Sequence, residues 1–399
     1  MNKMKTLIKV YDDKEYLNNV MIPLSLSFDM VVFIYREEIK DKLKKATIDL
    51  LNKYKCKTIF KKIVNDEEIE EILEKYQGAS IDISSNRYLT FYLFEQITEE
   101  DNEILYYDIY ENVIKDYRSH EIIKKELHHL TIEEIVSLGG GEYTCNMHDV
   151  PDLNNEFEVN AVKKVVEKSI DNYSSFTNFI SMVMKIIAKE NNLSIHINQE
   201  EKHKLLNNQN YKLLQECKII TIKENKLIVA NHFFLKMLKN AGAWLECYIY
   251  ITLMQSGRFE EVAMSAVIDF RSRGDFYPVS CEIDLITIKN NRLLFISCKS
   301  NKVDTEAINE IKVHNLSFGN TISKSAICTI EDLNINNPAI YKKAEEHEVA
   351  IVDYTSFKNK IKNKGVGLIE GKNLKDNTLV DIVDKIIENK YEYEKVVYN

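Results

Sequence analysis

Cys281-Glu282-Ile283-Asp284-Leu285-Ile286, then Lys289-Asn290-Asn291-Arg292, then Leu293-Leu294-Phe295-Ile296-Ser297-Cys298-Lys299, reads as two apolar strands joined by a polar turn. That pattern predicts a β-hairpin, and strand pairing brings Asp284 on one side close to Lys299 on the other. The carboxylate would supply oxygen to a hard divalent cation. The lysine would orient or deprotonate a water and offset charge on a phosphorane. Upstream, Gly242-Ala243-Trp244-Leu245-Glu246 opens an apolar segment running through Leu253, so Glu246 is expected to add a carboxylate from a helix. A polar residue at a strand end followed by Lys also occurs in α/β proteins without catalysis, and the spacing alone leaves both readings open.

The chain has 399 residues, 45% of them hydrophobic, enough for two or three domains with their own cores. No run approaches the roughly 18 to 20 apolar residues of a membrane span. The Met1-Asn2-Lys3-Met4-Lys5 start is followed by an apolar run too short for a signal segment, so a cytoplasmic protein with no membrane partner is expected. Seven cysteines without a C-x-x-C pair fit neither a disulfide framework nor a zinc ribbon, and reduced, mostly buried thiols are expected. A net charge of −9 argues against coating duplex DNA by charge alone, while a cleft with local cations stays compatible with it. Lys289, Arg292, Lys299, Lys302 and Lys312 make one segment locally basic, either as a solvated face or as a phosphate-facing one.

The first part alternates strands and helices. Thr6–Val10, Met30–Tyr35, Thr58–Phe60 and Ser80–Ile83 read as strands, and Glu37–Tyr54 and Tyr88–Gln96 as helices, the former with Leu43, Ala46, Leu50 and Leu51 on one buried face. The βαβα order predicts a doubly wound, mostly parallel sheet, whose ligands sit beyond the carboxyl ends of its strands. The loops Tyr11-Asp12-Asp13 and Ser84-Ser85-Asn86-Arg87 lie at those ends. Ser84 and Ser85 read equally well as helix caps, whereas Arg87 fits a phosphate.

Gly139-Gly140-Gly141 is the sharpest punctuation in a chain with 11 glycines and predicts a boundary: residues 1–140 as a first domain, 141–235 as a middle module, and 236–399 as a third. In the middle, a helical stretch from Asn160 to Lys189 and a helix Glu200–Glu216 precede a hairpin of Ile219–Ile222 and Leu227–Ala230. This is either a small winged-helix module or a spacer. A strand Val349–Val352 and an amphipathic helix Leu379–Lys390 close the chain.

Together, the opening strand and its polar loop, the Leu130–Leu138 boundary segment, the Trp244-Leu245-Glu246 helix, the Glu282-x-Asp284 strand and the Phe295–Lys299 strand resemble the ancillary nucleases of type III CRISPR systems. The resemblance implies an N-terminal CARF (Rossmann-like) domain and a C-terminal PD-(D/E)XK, restriction-endonuclease-like domain, in an α/β protein with a helical, winged-helix-like middle segment. It implies an endonuclease in antiviral defence that depends on Mn²⁺ or Mg²⁺. Its activator would be a cyclic oligoadenylate, cyclic tetra-adenylate first, and its substrate single-stranded nucleic acid or nicked or supercoiled DNA. The chain is expected to form a homodimer, because one ring with rotational symmetry bridges two copies across a C₂ axis. Asp284, Glu246 and the Cys298 carbonyl would hold the metal and Lys299 would position the nucleophile, while Tyr11, Asp12, Asp13, Ser84, Ser85, Asn86 and Arg87 would meet the ring. Two departures stand out. Ser84-Ser85-Asn86-Arg87-Tyr88 replaces a Thr-Gly-Gly-Thr-Lys-like loop, and Ser297-Cys298-Lys299 replaces Glu-x-Lys. Some members with Ser-x-Lys take the missing carboxylate from the following helix, where Glu306 and Glu310 share a face. A ligand-responsive transcription regulator, or a ligand sponge, on an inactive nuclease fold is the other reading.

Overall fold

The computed structural model describes residues 4–85, 87–97, 102–145, 150–188, 191–269, 280–300, 302–318, 322–331, 333, 337–353 and 378–388. The chain divides into two compact units, one of residues 1–143, 268–281 and 316–323, the other of 144–267, 282–315 and 324–399.

The first unit is built on a seven-stranded sheet ordered β3-β2-β1-β4-β5-β6-β7. Its strands are β1 (Thr6–Val10), β2 (Met30–Tyr35), β3 (Lys57–Lys62), β4 (Ser80–Asp82), β5 (Ile104–Asp108), β6 (Val113–Asp116) and β7 (Ile122–Lys124). The first five pair in parallel. β1 and β2 are nearly continuous apolar runs because helices cover both faces of such a sheet. Those helices are α1 (Met21–Ser25), α2 (Asp41–Lys53), α3 (Glu67–Lys75), α4 (Tyr88–Glu95) and α5 (Ile132–Leu138). The doubly wound expectation holds. The antiparallel β5-β6-β7 extension lay unread, since its Tyr-rich strands alternate with charge and carry no strong apolar period. Helix α2 starts four residues later than expected, at Asp41, and α5 begins with a capping box in which Thr131 and Glu134 satisfy each other's backbone N–H.

At the sheet centre Lys9 and Asp82 face each other across β1 and β4, both side chains fully buried and 2.5 Å apart. Lys9 Nζ also donates to the Asn18 carbonyl, and Asp82 Oδ1 accepts from the Ser84 N–H at 2.8 Å. The buried pair therefore ties the two central strands to the loops that follow them.

In the second unit α6 (Glu156–Ser169) and α7 (Tyr173–Ile187) lead to a small sheet of β9 (Ser194–His196), β10 (Ile220–Lys223) and β11 (Lys226–Val229), ordered β10-β11-β9. Where one helix was expected before the hairpin there are two, α8 (Gln199–Leu206) and α9 (Gln209–Glu216). The Asn207-Asn208 break supplies the cap of the second: the Asn208 side chain accepts from the Asn210 N–H at 2.8 Å. Then come α10 (His232–Met237) and α11 (Ala243–Ser256), which ends on left-handed Gly257 with φ +63°.

The large sheet of this part is ordered β16-β15-β14-β13-β12-β8: β8 (Glu142–Cys145), β12 (Glu261–Asp269), β13 (Ser280–Lys289), β14 (Arg292–Lys299), β15 (Lys324–Thr329) and β16 (Val349–Val352). Helices α12 (Thr305–Phe318), α13 (Ala339–Glu346) and α14 (Thr378–Ile387) complete it. The expected hairpin is present, with Leu285 opposite Ile296 through Lys289 opposite Arg292. Asn290 and Asn291 turn it at φ +54° and +60°, the doubly left-handed turn that asparagine tolerates and that matches strand twist. On β14, Leu294, Ile296 and Cys298 enter the core shared with Val162, Phe176 and Trp244, so Ser297 and Lys299 fall on the alternate positions.

Breaking the buried pair of the first unit by Lys9→Met should destabilise it by about 3–5 kcal/mol, because an uncompensated charge stays buried. Replacing both partners, Lys9→Met with Asp82→Leu, should recover part of that loss. Denaturant unfolding of the full chain checks both, and an additive double variant would show that the two charges are not coupled.

Candidate active site

Asp284 follows directly on the last paired step of the β13–β14 hairpin. Its Oδ2 accepts from the Cys298 N–H at 2.6 Å and lies 3.3 Å from Ser297 Oγ. Burial raises its pKa, while the Cys298 amide and Lys299 work the other way. Glu246 comes from the first turn of α11, as expected, and lines one cavity of about 390 Å³ together with Glu282 and Asp284. Burial first, and then the charges of Asp284 and Glu282, push the Glu246 carboxyl up to about 8, with Lys299 opposing.

Three carboxylates around one small cavity form a site short of positive charge. Among the described residues no group of three or more His, Cys, Asp or Glu side chains is arranged to hold a metal ion. Glu246 and Asp284, supplemented by a backbone oxygen and waters, are nevertheless the hard oxygen donors that Mg²⁺ and Mn²⁺ take.

Lys299 Nζ lies 3.8 Å from Glu310 Oε2 on α12. Glu306, one turn earlier, is exposed. His314, four residues after Glu310 and buried, was not singled out from sequence. Burial lowers its pKa, and Glu310, Asp284 and Lys299 all act on it. The i,i+4 spacing of Glu310 and His314 on the helix after the lysine strand was the available signal. Glu282, quoted in the strand motif but given no role there, is the other addition.

In the first unit Asp12, Asp13, Ser85 and Arg87, all named from sequence, come together, while Tyr11 is buried in the aromatic core. Tyr11 is buried, its ring edge-on to Phe33 at 5.5 Å and its hydroxyl 3.2 Å from Thr47 Oγ1. Arg87 forms ion pairs with Asp13 and, at 3.6 Å, with Asp12. Asp12 Oδ2 also accepts from Ser85 Oγ at 3.0 Å. Neither serine occupies the cap position of α4, which is Arg87 itself. Ser84 instead donates to Asp82 and accepts from the Tyr107 N–H at 2.8 Å. Asn86 lies outside the described residues. At the carboxyl ends of β4 and β5 a cavity of about 420 Å³ takes in Ser84 together with Asn18, Tyr106, Tyr107, Tyr110 and His120.

Residues 235–362 match the family model described as Card1-like, endonuclease domain. That segment is similar to Card1-like endonuclease domains. Glu246, Asp284 and Lys299 all fall within it. No curated protein sequence matches the chain. Two solved structures share its fold over most of its length. Protein VC1899 from Vibrio cholerae has a TM-score of 0.74 at 15% identity, covering 90% of this chain and 96% of that one. Can2 from Sulfobacillus thermosulfidooxidans, solved in complex with cyclic tetra-adenylate, has a TM-score of 0.67 at 17% identity, covering 88% and 96%. The α/β architecture expected from sequence is thus also that of two other folded chains. No helix among the described residues is long and apolar enough to cross a membrane.

Gly242 precedes the first turn of α11, and a Cβ built there meets Glu246 Oε1 at 3.2 Å. Gly242→Ala should therefore displace the Glu246 carboxylate and slow any cleavage at this site roughly ten- to hundredfold, since small misplacements of reacting groups are costly. Single-turnover cleavage checks it, with thermal melting to show an intact fold; an unchanged rate would mean that Glu246 is mobile enough to give way.

Proposed function

We propose that the protein is a cytoplasmic endonuclease of antiviral defence, switched on by a cyclic oligoadenylate bound in its first unit and acting as a homodimer. The observation that carries the reading is the convergence of Glu246, Asp284 and Lys299 inside the segment that matches a nuclease family. The activator class is supported by the shared fold of Can2, whose structure contains cyclic tetra-adenylate, and by a cavity where doubly wound sheets bind ligands.

Asp284 and Glu246, with the Cys298 carbonyl, would hold Mg²⁺ or Mn²⁺, which when bound polarises the phosphodiester and lowers the pKa of water. The Cys298 amide fixes the Asp284 carboxylate toward the cavity. Lys299 orients the attacking water and balances charge that builds on phosphorus. Glu246 would hold the cation as a carboxylate. In the first unit, Ser84 and the aromatic cavity beside it are placed to meet the ring, whereas Arg87 reaches a phosphate only by giving up Asp12 or Asp13.

A transcription regulator draws no support from the middle module. The helix before the β10–β11 hairpin, Gln209-Asn210-Tyr211-Lys212-Leu213-Leu214-Gln215-Glu216, offers Lys212 as its only cation.

Incubation with labelled single-stranded DNA and RNA, with Mn²⁺ or Mg²⁺ and with or without cyclic tetra- and hexa-adenylate, tests the reading. Ring-stimulated cleavage that EDTA abolishes is expected; cleavage indifferent to both rings would sink the activator. Calorimetry should return one ring per two chains. Asp284→Asn should lose most activity and regain part at high Mn²⁺, whereas Lys299→Ala should not regain it. Alanine at Glu310 should slow cleavage more than alanine at Glu306, because only Glu310 approaches Lys299.

A further inference from the structure

We propose that α10 and the turn after it form a nucleotide subsite of the nuclease cavity, with Phe233 stacking on a base of the substrate and Lys236 holding a neighbouring phosphate. The inference rests on the reading of that cavity as the cleavage site.

One wall of the 390 Å³ cavity carries Glu246, Glu282 and Asp284; another is Phe233, Lys236, Met237 and Asn240, from the segment that reads in sequence as a module or spacer. An aromatic face beside a cation is the pairing used for unpaired strands, where the base stacks and the charge follows the backbone. The space is that of a small-ligand pocket, so it takes one splayed nucleotide rather than a base pair.

This wall is held firmly in relation to the carboxylates. The Met237 carbonyl accepts from Trp244 Nε1 at 2.9 Å, two residues before Glu246 on α11. At its start α10 is capped by Asn231, whose side chain accepts from the Phe234 N–H at 3.0 Å and donates to Glu158 Oε1 at 2.8 Å. Phe234 is fully buried and stacks on Trp244, while Phe233 beside it, ring centroids 5.1 Å apart, is left half-buried at the cavity. Lys236, one turn on, is exposed. Opposite them Ser265 lines the cavity from within β12 with φ +52°, a left-handed backbone of the kind that concentrates at functional sites.

The test is binding of a fluorescein-labelled 12-nucleotide single-stranded DNA to the full chain, read by anisotropy with Ca²⁺ in place of Mg²⁺, together with steady-state cleavage of the same strand. Phe233→Ala should weaken binding and raise KM about tenfold, with kcat at saturation little changed, and Phe233→Tyr should restore both. Lys236→Ala should weaken binding and lower the slope of log affinity against log salt by about one. Unchanged affinity and salt slope in both variants, with a wild type that binds and cuts, would overturn the subsite alone. A wild type that neither binds nor cuts any strand would remove the nuclease reading and the subsite with it. Should Phe233→Ala lower the melting temperature, the exposed Lys236→Ala decides.

Discussion

The hydrogen bond from the Cys298 amide to the Asp284 carboxylate, at 2.6 Å, is the contact on which the geometry of the candidate site depends. It forms directly beyond Leu285 and Ile296, the last paired residues of the hairpin. A side chain thus takes a backbone donor where a main-chain acceptor would otherwise stand. The position of that donor is set from both sides. The Asn290-Asn291 turn fixes the register of β13, and Cys298 pairs in parallel with Cys328 on β15. A one-residue slip of the hairpin would turn Asp284 to the opposite face, so the turn and the pairing with β15 also aim the carboxylate.

The two units treat buried charge in opposite ways. In the first, Asp82 meets Lys9 at 2.5 Å with both fully enclosed, and further hydrogen bonds satisfy the remaining polar atoms. In the second, Glu246, Glu282 and Asp284 line one cavity, and burial first, then the charges of Asp284 and Glu282, push the Glu246 carboxyl up to about 8. The first arrangement holds strands together. The second leaves charge unbalanced in the folded state, which any divalent cation bound there would relieve and so stabilise the fold by mass action. The contrast separates a structural carboxylate from one set up for chemistry more clearly than the residue types do.

Much of this was legible in the sequence. The hairpin announced itself through apolar runs and a polar turn, the parallel sheet through β-branched strands spaced by amphipathic helices, and Glu246 through its place at the start of an apolar helix. The β5–β7 meander did not, because Ile104-Leu105-Tyr106-Tyr107-Asp108 has no clean period of either kind. The partners of the ligand loop were hidden for a different reason. Arg87 beside two serines reads as a phosphate clamp, yet Asp12 and Asp13, some seventy residues earlier, reach it first, and no local pattern encodes that meeting. Tyr11 likewise reads as a loop residue although its ring closes a cluster with Phe33 and Phe60. The contribution of α10 to the cavity was hidden because Phe233 and Phe234 look alike in sequence, while only one of them is buried.

Ser297 is the position where the strand departs from the carboxylate-x-lysine pattern, and the charges around it give that departure a physical sense. A glutamate there would add an anion beside a carboxylate cluster that already drives Glu246 toward neutrality. Serine instead brings a hydroxyl to 3.3 Å from Asp284 and leaves the charge count unchanged. The acid that approaches the site from elsewhere is Glu310, and it approaches Lys299 rather than Asp284. His314, one turn further along α12, is buried and acted on by Glu310, Asp284 and Lys299 together. Glu310 thus brings its negative charge to the lysine and not to Asp284.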